Sequence, residues 1–131
     1  MMKYFIQLLA TFAVCIAVTG CGDSHDKVMT DQIEWMDDIA VVVEQVAEGE
    51  LSSAEGAERV RELGQEAHTF MERKKALDND LTPHKAKRLV EKYSRPTTEA
   101  YGGVMHAMQK SMKNGTMERD LQDAIMELNL Q

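Results

Sequence analysis

Downstream of residue 28, apolar positions recur at spacings of three and four, the period of a helix face, and nowhere alternate as they would in a half-buried strand. Met29, Ile33, Met36, Ala40, Val43 and Ala47 step along one face, and Trp35, Ile39, Val42 and Val46 widen it. Gly49 predicts the end of this first helix. Ser52 and Glu55 have the spacing of a capping box, in which each side chain satisfies a free backbone N–H of the other residue. Val60, Leu63, Ala67, Phe70 and Leu77 form the stripe of a second helix. A third opens with Thr82 as N-cap and Pro83 in the first turn, where its missing N–H is not needed. Leu89, Val90 and Tyr93 follow, and Pro96 predicts a kink or a break, since it removes a helical hydrogen bond and disfavours helical geometry at Arg95. Ala100, Val104, Ala107, Met108 and Met112 resume the stripe up to Asn114-Gly115. Thr116 is read as the cap of a last helix of about thirteen residues, too short to stand alone, with Met117, Leu121, Ala124, Ile125 and Leu128 inward.

Four amphipathic segments with short connections predict an all-α domain, a small antiparallel up-down-up-down four-helix bundle with a kink or break near Pro96. A monomeric bundle is favoured over an extended hairpin that completes its core as a homodimer. The chain shows no internal repeat and no low-complexity tract.

Residues 4–18 differ in kind. Lys3 is the only charge before Asp23, and the apolar run behind it, about fifteen residues, is shorter than the roughly twenty that span a bilayer. A charged start, an apolar middle and a small-residue end are the layout of a secretory signal. Val18-Thr19-Gly20-Cys21 then resembles the lipobox of bacterial lipoproteins. The resemblance implies cleavage between Gly20 and Cys21, a diacylglycerol on the Cys21 thiol and an acyl group on its amine. It also implies anchoring in the cell envelope. Gly22 is not the aspartate that resembles an inner-membrane retention signal, so in a Gram-negative cell the periplasmic face of the outer membrane is implied. The expected division is residues 1–20 signal, 21–26 lipidated start and tether, and 27–131 helical domain.

Cysteine usage fits that reading. Cys15 lies in the discarded segment and Cys21 carries lipid, so no pair remains for a disulfide in an oxidising compartment. The mature chain carries 14 basic and 22 acidic residues, which argues against nucleic acid as a partner. Residues 73–95 invert the sign, with eight basic residues against three acidic. In an up-down-up-down bundle this stretch lies beside Cys21, and Lys85, Lys87 and Arg88 are the candidates to face anionic head groups, where a basic residue contributes about 1 kcal/mol.

Candidate chemistry is sparse. Met105, His106, Met108 and Met112 place three thioethers and an imidazole within two turns, a donor set suited to Cu(I). Methionine at these spacings is equally flexible core filler, so no metal is expected, and a copper or other small-ligand bundle is the alternative reading. His25 is placed in the tether and His84 in a first turn, both solvated. No nucleophile, base and orienting group assemble from these residues, so an enzyme is not expected. Gly102 and Gly103 within a helix would each cost about 1 kcal/mol against alanine, which makes them candidates for close approach by a partner. Peptidoglycan-linked lipoproteins end in a basic residue used for attachment, whereas this chain ends Leu128-Asn129-Leu130-Gln131. The expectation is a lipid-anchored, non-enzymatic envelope protein that acts as a binding or accessory module for an envelope partner.

Overall fold

A computed structural model describes residues 24–128, in which four helices and no strand are found. They are α1 (His25–Ala47), α2 (Ser53–Asp78), α3 (Pro83–Lys113) and α4 (Arg119–Glu127). The expected signal segment, Gly20 and Cys21 lie outside the described residues.

Local chemistry sets most of the boundaries. Ser24 Oγ accepts the Lys27 N–H at the start of α1. Ser52 and Glu55 form the full capping box at α2, and Thr82 Oγ1 accepts the Lys85 N–H ahead of Pro83 at α3. Gly49 (φ 79°) and Gly115 (φ 70°) close α1 and α3 in the left-handed region that favours glycine. At each, the glycine N–H bonds three residues back and the following N–H five residues back, to Val46 and Gln45 in one case and to Met112 and Ser111 in the other.

Three expectations are corrected. The first helix takes in His25 and Asp26, so the tether is shorter than residues 21–26, and His25 is not free: its Nε2 lies 3.2 Å from Asp78 Oδ1. No break forms at Pro96, and α3 runs through it for 31 residues. Tyr93, Ala100 and Val104 are buried on either side, and that packing holds the helix across one missing hydrogen bond. The last helix has nine residues, and Glu118 rather than Thr116 occupies its N-cap. The Thr116 hydroxyl turns back instead to Ser111 Oγ at 2.8 Å.

The helices run up, down, up, down, with α1 central. It lies antiparallel to α2 and parallel to α3, and α4 packs on α2. The core joins Trp35, Ile39, Val43 and Val46 of α1, Ala57 and Val60 of α2, Ala100, Val104 and Ala107 of α3, and Leu121, Ala124, Ile125 and Leu128 of α4. Each fully buried Ile, Leu or Val contributes about 1.5–3 kcal/mol. Two glycines of α2 set the spacing. A methyl group at Gly56 would overlap Val46 Cγ2, and one at Gly64 would lie 2.9 Å from Leu128 Cδ2.

Candidate functional site

The start of α1, the end of α2 and the start of α3 meet at one end of the bundle, where the chain leads back toward Cys21. Asp26 is the knot. Its carboxylate accepts Tyr93 Oη at 2.8 Å, Lys92 Nζ at 2.9 Å and Arg88 Nη2 at 3.1 Å. The hydrogen bond from Lys92, then that from Tyr93, hold its pKa below the usual carboxylate value, and Asp26 in turn raises that of Lys92. Asp31 pairs with Arg73 at 2.9 Å and with Lys27 at 3.0 Å. Burial there favours the neutral acid, but the two cations outweigh it and lower its pKa.

The predicted basic patch is therefore divided. Arg88 is engaged with Asp26, and Lys87 lies 3.8 Å from Glu91 within its own helix. Lys85 is exposed and has no acidic partner among the described residues, and the same holds for Lys74 and Lys75 at the end of α2. The two acidic residues of α1 that absorb Arg73, Arg88 and Lys92 could not be paired with them from sequence, because the partners lie about 40 to 66 positions away.

The other candidates do not gather. Met105, His106 and Met112 are exposed, and Met108 alone of the four packs against the core, so they do not converge inside the bundle. Gly102 has open space where a Cβ would stand, and Gly103 lies only in ordinary contact with Ala40, at 4.0 Å. The close approaches fall at Gly56 and Gly64 instead. Among the described residues, no three of His, Cys, Asp or Glu are placed to hold a metal ion, and no helix is long and apolar enough to cross a membrane.

What sequence reading missed is a groove. Among the described residues, α4 and its cap fill the fourth position of the bundle down to Leu128, opposite Gly64. Beyond it, α2 and α3 flank a floor made by Trp35 and Met36 of α1, with Phe70 and Met71 on one wall and Tyr101 on the other. The opening has a volume of about 880 Å³. From Ala67 to Asp78 it follows eleven residues of α2, about 17 Å at the helical rise. Its floor is fixed: Trp35 Nε1–H donates to the Leu63 carbonyl at 2.7 Å, and the Trp35 and Phe70 rings meet edge to face at 6.0 Å. Thr97 Oγ1, on the α3 wall, is buried with no hydrogen-bond partner among the described residues. Asp78 ends the groove beside His25, so its mouth lies at the end where α1 begins. A shallower cleft of about 570 Å³ between α1 and α2 is walled mainly by charged groups, Asp38, Arg59, Glu62 and Glu66.

Fold and groove together define a class, an all-helical four-helix bundle with an apolar groove beside its last helix. No family model, curated protein or solved structure matches the chain.

Proposed function

We propose that this chain is a lipid-anchored, non-enzymatic lipoprotein of the bacterial envelope, a binding or accessory module that works against the membrane. The carrying observation is Val18-Thr19-Gly20-Cys21 placed directly behind Lys3 and the apolar run, with a capped helix starting at His25. Only Gly22 and Asp23 separate Cys21 from Ser24, three steps of chain and a reach of about 10 Å at most. The bundle therefore stands next to the bilayer, with the α2–α3 turn and Lys74, Lys75 and Lys85 on the near side. Gly22 favours the periplasmic face of the outer membrane if the cell is Gram-negative. The groove supplies the surface for a ligand or envelope partner, since concave, mainly apolar clefts of this size are where small proteins bind.

Intact-mass measurement of the protein extracted from bacterial membranes tests this reading. The expected mass is that of a chain starting at Cys21 with diacylglyceryl and acyl groups added, and Cys21→Ser should leave an unprocessed or lipid-free protein. A full-length chain with an unmodified thiol would refute it.

A further inference from the structure

We propose that the groove below Leu128 receives one acyl chain of the lipid on Cys21, folding part of the anchor back against the bundle whenever no bilayer takes it up. The inference rests on the lipoprotein reading and adds a binding site to it.

Position argues first. Ser24 caps α1 at the groove's mouth, where His25 touches Asp78. An acyl chain linked to Cys21 starts three positions from that point, within about 10 Å, and the groove runs on from there for about 17 Å. Chemistry agrees. The floor offers Trp35, Met36 and Phe70, and Met71 stands 71% exposed on the wall. Polymethylene laid there exchanges water for aromatic and thioether surface, which is favourable in proportion to the apolar area covered. Methionine adapts to a chain of no fixed shape. At the mouth, Lys74 and Lys75 have no acidic partner among the described residues and can donate to the ester carbonyls of a glyceryl linkage. A bilayer surrounds an acyl chain on all sides and the open groove on fewer, so the bilayer wins where both are present.

The mature chain allows a direct test. Residues 21–131 hold every described helix and contact, with Cys21 as the one thiol and Trp35 as the one tryptophan. The Cys21 thiol is alkylated either with a dodecyl chain brominated near its end or with a methyl group, and Trp35 emission is followed. Bromine quenches indole only at contact. The expected result is loss of most Trp35 emission with the brominated chain, independent of protein concentration, and its recovery on adding phosphatidylcholine vesicles. Met71→Glu should abolish the quenching while far-UV circular dichroism stays unchanged, because Met71 is an exposed side chain. Unchanged emission in the folded dodecyl protein overturns the proposal, as does quenching that grows with concentration, which would seat the chain on a second copy. An unlipidated Cys21 in the cell-derived protein overturns the lipoprotein reading instead, and with it the natural occupant.

Discussion

Gly56→Ala and Gly102→Ala are the same chemical change in two helices, and the structure predicts opposite signs. Both glycines have helical backbone, so alanine brings a propensity gain of about 1 kcal/mol at each site. At Gly102 nothing lies within 4 Å of the new methyl group, so the gain should appear whole. At Gly56 the methyl overlaps Val46 Cγ2, and Val46 is 0% exposed with Leu121 behind the glycine. Overpacking of this kind costs about 1–3 kcal/mol, which cancels or reverses the gain. The two variants should therefore differ by about 1–3 kcal/mol in urea unfolding followed by far-UV circular dichroism. In thermal unfolding that is a separation of roughly 4–8 °C for each kcal/mol. Val46→Ala removes the obstructing methyl, so in that background Gly56→Ala should regain its benefit, with a coupling of about 0.5–3 kcal/mol between the two sites. Equal stabilisation by both single variants would refute the close approach of α1 to α2 on which the bundle's spacing rests.

Other perturbations follow from the same contacts. Asp26→Asn should lower stability at neutral pH. Because the folded-state pKa of Asp26 is depressed, its contribution is present above the ordinary carboxylate value and lost as pH falls through the folded value. Unfolding curves of the variant and the parent protein should thus converge in acid, and a gap that persists there would contradict the assignment. Ser53→Ala removes the hydroxyl that accepts the Glu118 N–H and donates to Asp120. Loss of these hydrogen bonds should cost about 1 kcal/mol, seen by hydrogen exchange as opening of residues 119–127 ahead of the rest. Pro96→Ala should raise the urea midpoint by an amount equivalent to about 1–3 kcal/mol, since α3 is already helical there and regains a donor; an unchanged midpoint would show that the proline is not strained.

Local signals were legible wherever a boundary is made by neighbouring residues. The Ser52–Glu55 box, Thr82-Pro83 and Asn114-Gly115 each act within a turn or two of chain, and each stands where the sequence places it. Phase was harder to read. The buried line of α3 passes through Tyr93, Ala100, Val104, Ala107 and Ser111, with Val90 and Met112 outside. A wholly buried serine and a half-exposed methionine invert the residue-type rule, because the seating of α3 on α1 decides which face is covered. The start of α4 was misread for a related reason: its N-cap is Glu118, whose N–H is held by Ser53, 65 residues away, and the nearer Thr116 is engaged elsewhere. Gly102 and Gly103 drew notice as a pair, yet close approach falls at Gly56 and Gly64, where the obstacle belongs to another helix. The groove had no signal in the pattern, since its lining comes from four separate segments whose juxtaposition is set only by the packing of the helices. The assignment of lipid and address rests on residues 1–21, which lie outside the described structure and were read from sequence alone.

The central position of α1 bears on how the chain reaches this structure. Its partner over most of its length is α3, and the ties between them join residues 62 to 67 positions apart, from Asp26–Tyr93 to Glu48–Lys110 and Ala47–Asn114. Helix α4 likewise docks on α2 across 65 to 67 positions. Of the hairpins of sequence neighbours, α1–α2 packs on itself but α3–α4 does not, and the largest interface, α1–α3, forms only after the entropy of closing a long loop is met. Folding should accordingly be slower than in bundles built from adjacent hairpins. It should also be all-or-none, with a cut in the turn between α2 and α3 leaving two halves that complete the core only once they find one another.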